Sequence, residues 1–163
     1  ILTDSINRIK SMTRLYDRLQ QAPSVASIGL KGYLDTLVSD IVATGGRQDH
    51  IRVDLDVEDL QLTVEQGVSL GLILNELATN SLKHAIPHGT PGWISASVKS
   101  TGPYIEARVS DSGPGVSADY LDESREQLGM QIVEAIVGQH SGEFSLEDPD
   151  TSTFLVRLPR MLD

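Results

Sequence analysis

The period of the apolar residues changes abruptly at residue 51, and that change limits what the chain can become. Before it the spacing is helical. Leu2, Ile6, Ile9, Met12, Tyr16 and Leu19 recur every three or four residues, which predicts a helix over 1–20 that "QQAPS" with Pro23 ends. A second helix is expected over about 27–42, with Leu30, Tyr33, Leu34, Leu37, Val38 and Ile41 on one side, and "ATGG" stops it. From residue 51 the period is two. "IRVDLDVE" puts Ile51, Val53, Leu55 and Val57 on one face and Arg52, Asp54, Asp56 and Glu58 on the other, which reads as a half-buried strand with "QLTV" as its short partner. A long helix is expected from about Glu65 to Ala85, broken by "PHGTPG". Strands "WISASVKS" and "YIEARVSD" follow, joined by "TGP". An acidic loop over 116–128 and a helix over 130–140 lead to a closing hairpin, "GEFSLED" and "STFLVRLP", around "PD".

Strands joined by hairpins, or around a single helix, favour an antiparallel arrangement. The expected fold is therefore an α+β two-layer sandwich: a mixed, mostly antiparallel sheet with helices on one face, preceded by a helical segment. The boundary is expected between a helical region, 1–42, and the sandwich, 43–163.

Composition narrows the function. A formal net charge of −10 repels a phosphate backbone, so nucleic-acid binding is not expected. One small anion is still acceptable where a metal ion and local donors offset the field. The chain has no cysteine, which excludes disulfides, thiolate nucleophiles and Cys-based zinc sites and fits a reducing cytoplasm. No apolar run is long enough for a bilayer, no basic cluster marks a membrane surface, and Asp4, Arg8 and Lys10 interrupt any signal peptide, so no membrane contact is expected.

Three places could carry chemistry. On the long helix, Glu76, Asn80, Lys83 and His84 stand at i, i+4, i+7 and i+8, giving one face a carboxylate, an amide and two basic groups. Glu and Asn one turn apart suit Mg²⁺, which wants oxygen ligands and takes the rest of its shell from water and substrate phosphates. A solvated polar face answers the same pattern. Asp111 ends a strand with the inward parity of Ile105, Ala107 and Val109, and Gly113 and Gly115 follow it. An inward carboxylate there could accept a hydrogen bond from an exocyclic amine, with the glycines admitting a flat ligand. An Asx turn closing a strand reads equally from "DSG". Past the acidic loop, Gly129 opens an apolar helix whose free N–H groups would favour phosphate. Arg125 reads as a solvated loop residue.

In combination these pieces are far more specific. "NELATNSLKHA", "DSGPG", "LGM" and "STFLVRLP", in that order over about residues 47–160, resemble the N box, two glycine boxes and closing strand of the catalytic ATP-binding domain of sensor histidine kinases. That family lies within the wider group (GHKL) that includes DNA gyrase and Hsp90, and its fold is the Bergerat-type sandwich. "INRIKSMTRLYDRL" and "GYLDTLVSDI" resemble the region after the phosphoacceptor box in a subfamily whose H-R-x-K-N box lies just upstream. That box is absent from these residues, and His50, His84, His88 and His140 do not stand in such a context. His50 and His140 are expected at the surface. The resemblance thus implies that 1–42 is part of a dimerisation and phosphotransfer hairpin, beginning in its second helix, and 43–163 the ATP-binding domain.

The resemblance also implies roles. Asn80 would coordinate Mg²⁺. Glu76 would orient or activate the attacking group, and Lys83 and His84 would face the phosphates. Asp111 would read the adenine amine, supported through a water by Thr153, while Gly113, Gly115 and Gly129 would permit close backbone approach and lid closure. ATP and Mg²⁺ are the implied cofactors, and a response-regulator receiver domain and a homodimer through the N-terminal helices the implied partners. Two rivals remain: an anti-sigma-factor serine kinase, which shares the N box and glycine box, and a non-catalytic docking module. The departures are Ser81 where many members carry Ala, a lid without its phenylalanine-rich box, with only Tyr120 and Leu121 as hydrophobic candidates, and a second glycine box reduced to Gly129.

Overall fold

The computed structural model describes residues 27–44, 49–124 and 126–161. The expected helix over 1–20 and Arg125 lie outside them. The elements are β1 (Ser27–Gly29), α1 (Leu30–Thr44), β2 (Ile51–Val57), β3 (Gln61–Thr63), α2 (Val64–Asn80), a π-helical turn (Ser81–Ala85), β4 (Gly92–Thr101) and β5 (Tyr104–Asp111). After these come α3 (Tyr120–Glu123), α4 (Leu128–Gln139), β6 (Glu143–Asp148) and β7 (Thr153–Pro159).

A five-stranded sheet runs in the order β2-β4-β5-β7-β6. β2 and β4 are parallel because the chain crosses through α2 between them, and the remaining neighbours are antiparallel. The mixed, mostly antiparallel sandwich read from the sequence is what forms. Its inner face carries Ile94, Ala96, Val98, Ile105, Ala107, Val109, Phe154, Val156 and Leu158, all buried. The helices α1, α2 and α4 pack against the sheet.

Two local expectations are corrected. "QLTV" does not pair with β2. The chain stays beside β4 through Glu58, whose N–H donates to the Val98 carbonyl at 2.9 Å, then turns away at Leu60. β3 pairs with β1 instead, with Ser27 opposite Thr63. That ladder keeps Ser27–Gly29 extended, so α1 starts at Leu30 rather than residue 27. Leu30, Leu34, Leu37 and Val42 of α1 share one core with Leu70, Ile73, Leu74 and Leu77 of α2. Gly71 makes room for this contact, since a Cβ there would overlap the Tyr33 hydroxyl.

α2 is capped by Thr63, whose hydroxyl accepts the Gln66 N–H at 3.2 Å. The Gln66 side chain does not reach back to complete a capping box. It is buried and clamps the end of β7: Nε2 donates to the Pro159 carbonyl at 2.7 Å, and Oε1 accepts the Met161 N–H at 3.1 Å.

The outer face of the sheet is polar. Glu106 accepts from Arg157 Nη2 at 2.8 Å and from Arg108 Nη1 at 3.0 Å, and Arg108 also grips Glu147. The Arg157 guanidinium, with Arg108 beside it, holds the Glu106 carboxyl below the usual carboxylate range. His140 also departs from its expected surface position. It is buried at the end of α4, with Nε2 2.7 Å from the Ser69 hydroxyl of α2, while His50 is exposed.

Candidate active site

The last turn of α2 carries Glu76 and Asn80. Glu76 is only 1% exposed, with the Asn75 amide 3.4 Å from its Oε1. Asn80 is half-buried, and its Nδ2 lies 3.3 Å from the Met130 sulfur of α4. The helix then widens into a π turn, with the Ile86 N–H donating to the Ser81 carbonyl at 3.1 Å. Such turns often mark functional sites. This one breaks the regular spacing assumed for Lys83 and His84, and both are exposed at its end.

Asp111 has the inward parity read from the sequence and is 3% exposed. Its two carboxylate oxygens are held from different sides. Oδ2 accepts the Ser81 hydroxyl at 2.7 Å, and Oδ1 accepts the Gly113 N–H at 2.8 Å. Each oxygen keeps a lone pair for a further donor. Gly113 sits so close to the π turn that a Cβ would come within 2.7 Å of the Ala85 Cβ. Gly115 has φ of 84° and lies under the β6–β7 turn, where a Cβ would meet the Pro149 carbonyl at 2.7 Å.

That turn also bears on Asp111, whose N–H donates to the Thr151 carbonyl at 3.4 Å. Past the pairing of Val109 with Phe154 the chain turns at Ser152, whose φ is 48°. Ser152 is 2% exposed, and its buried hydroxyl has no hydrogen-bond partner among the described residues. Thr153 has the opposite parity, is half-buried, and its Oγ1 lies 2.7 Å from Thr151 Oγ1. Sequence reasoning named Thr153 and did not name Ser152, which lies in the turn just before β7.

The acidic loop packs on the sheet through Tyr120. Tyr120 of α3 packs 5.7 Å from Phe154, centroid to centroid. Burial, and after it the negative charge of Asp111, raises the Tyr120 hydroxyl above its ordinary value, against a hydrogen bond with Gln127. Gly129 and Met130 then lie buried in the first turn of α4. The structure thus joins Asn80 to Met130 and ties Asp111 to Ser81, the residue after Asn80, and to Gly113.

Among the described residues, no cluster of three or more His, Asp or Glu side chains could hold a metal by itself. One amide and one carboxylate on a helix end fit Mg²⁺ only when phosphate oxygens and water complete the shell.

Residues 65–162, more than half of the chain, match a family model described as "Histidine kinase-, DNA gyrase B-, and HSP90-like ATPase". The chain belongs to this family. Residues 1–44 match a second model, "Histidine kinase". The chain is 28% identical, over 93% of its length, to "Blue-light-activated histidine kinase 2" of Erythrobacter litoralis, covering 45% of that protein. It is 30% identical, over 98% of its length, to the "C4-dicarboxylate transport sensor protein DctB" of Rhizobium meliloti, covering 27% of it. The chain therefore spans less than half the length of these curated relatives. The histidine kinase domain of the E. litoralis EL346 blue-light-activated kinase superposes with a TM-score of 0.78 at 25% identity, over 94% of this chain and 73% of that one. Acinetobacter baumannii histidine kinase AdeS shares the fold, with a TM-score of 0.70 at 14% identity over 99% and 79% of the two chains. The Bergerat-type reading of the sandwich is thus met, and this member of the family is an ATPase domain of the histidine kinase kind.

Proposed function

We propose that the chain binds Mg-ATP and serves, in an intact sensor kinase, to transfer the γ-phosphoryl to a histidine, which passes it to an aspartate of a receiver domain. One observation carries the reading: a buried Asp111 with both oxygens oriented, in contact through Ser81 with the helix end that bears Asn80 and Glu76. In this reading Asp111 accepts the adenine amine. Asn80 and phosphate oxygens share Mg²⁺, which would neutralise charge on the transferring group. Glu76 orients the attacking group. Lys83 and His84, being exposed, meet the phosphates only if the nucleotide or the lid brings them in.

Residues 27–44 are assigned here to the ATP-binding unit, on the strength of the core they share with α2. Dimerisation falls to residues 1–26. The match of 1–44 to a histidine kinase model supports this reading over an anti-sigma-factor serine kinase. The receiver domain, the homodimer and a cytoplasmic setting belong to the proposal. No helix among the described residues is long and apolar enough to cross a membrane.

Calorimetric titration with a non-hydrolysable ATP analogue, with and without Mg²⁺, tests it. The parent should bind, Asp111→Asn should lose adenine nucleotides generally, and Asn80→Ala should lose mainly the Mg²⁺-dependent part. A folded parent that binds no adenine nucleotide would favour the docking-module reading. Acid-labile phosphate should appear on a supplied hairpin carrying the H-R-x-K-N box and not on this chain alone.

A further inference from the structure

We propose that Met130 is a positioning residue for the metal ligand, its thioether setting which edge of the Asn80 amide faces the cation. The inference rests on Asn80 being the Mg²⁺ ligand proposed above.

An asparagine amide has two edges of nearly equal size and opposite polarity. Only Oδ1 can ligate Mg²⁺, and the same side chain turned over presents two N–H dipoles to the cation. Something must distinguish the edges. In this structure the neighbour is the Met130 sulfur, 3.3 Å from Nδ2. A thioether carries lone pairs and no proton, so it accepts from the NH₂ edge and offers nothing to the oxygen. Oδ1 is thereby turned away from α4.

The sulfur is itself held in place. Met130 is 1% exposed in the first turn of α4, directly after the acidic loop. At the far end of the same helix, His140 bonds Ser69 of α2 at 2.7 Å. α4 is thus fastened to α2 near both ends, which limits the travel of the sulfur relative to Asn80. A leucine would fill similar volume but would not distinguish the two edges of the amide.

The test compares the parent, Met130→Leu and Asn80→Ala by calorimetry, titrating a non-hydrolysable ATP analogue in EDTA and at saturating Mg²⁺. Norleucine incorporation at position 130, which removes sulfur at constant chain length, replaces Met130→Leu should that variant unfold. Expected is a loss of roughly three- to tenfold in the Mg²⁺-dependent gain in affinity, the span of one modest hydrogen bond. The gain is read against each variant's own affinity in EDTA, and the Asn80 side-chain NH₂ proton resonances should shift. A parent with a gain that Asn80→Ala abolishes and Met130→Leu or norleucine leaves whole overturns the proposal and makes Met130 a packing residue. A gain that survives Asn80→Ala, or a parent that shows none, overturns the assignment of Asn80 and this inference with it.

Discussion

The Ser81 hydroxyl of the π turn donates to Asp111 Oδ2 at 2.7 Å, tying the end of α2 to the end of β5. The Leu77 carbonyl lies 3.2 Å from the same hydroxyl, but one proton serves one strong bond, and the shorter, charge-assisted bond to the carboxylate takes it. Removing this tie leaves Gly113 as the holder of Asp111, on one oxygen only. Ser81→Ala is therefore expected to weaken adenine nucleotide binding by roughly two- to tenfold, the worth of one such bond, with the fold retained. Equal affinities for parent and variant in an analogue titration would show that Gly113 alone orients the carboxylate.

Gly113 and Gly115 are glycines for different reasons. At Gly113 a Cβ would collide with Ala85 Cβ at 2.7 Å and the Ala85 carbonyl at 2.9 Å. Gly113→Ala must push the loop off the π turn, a cost of about 1–3 kcal/mol. Gly115→Ala adds a backbone cost of about 1–2 kcal/mol for the left-handed conformation to its clash with the Pro149 carbonyl. Both should lower the urea midpoint, and Gly113→Ala should in addition release Asp111 and weaken nucleotide binding. A Gly113→Ala protein with unchanged midpoint and affinity would mean the loop has room that these distances deny.

Gln66 does the work of a missing strand at the end of β7. Gln66→Leu leaves the Pro159 carbonyl and the Met161 N–H without its amide, at a cost of about 1–3 kcal/mol. Hydrogen exchange should localise the effect, with the amide of Met161 losing protection and those of β4 and β5 keeping theirs. Uniform loss across the sheet would instead mark Gln66 as a core-packing residue.

Glu106 makes stability depend on pH at the acid end. Its folded carboxyl lies below its unfolded value because the Arg157 guanidinium, and then Arg108, favour the charged form. Stability from this source is present in full above the unfolded value of about 4.3 and is lost as pH falls through the lower folded value. Glu106→Gln should be less stable than the parent at neutral pH, and the two should converge in acid. Parallel stability curves down to low pH would remove Glu106 from the account.

The sequence by itself determined the layer architecture and named most residues of the candidate site. Alternation in "IRVDLDVE" and "YIEARVSD" and the three- and four-residue spacing of α1 depend only on which face each side chain must bury, and the burial of the apolar residues follows them. The inward parity of Asp111 came from the same rule. The same parity buries Phe154, Val156 and Leu158 on the inner face of β7. Hairpin partners were legible, β4 with β5 and β6 with β7, but the partner of a strand outside a hairpin was not, because backbone hydrogen bonds carry no side-chain signature. "QLTV" could lie beside any strand, and the competition from β4 and β1 chose. The π turn, the Asn80–Met130 contact and the His140–Ser69 bond join residues of different elements, or change the angle between them, by packing that no local pattern records. Local periodicity sets which faces are apolar. Only the closing of the layers decides which polar atoms meet across them, and in this protein those meetings form the site.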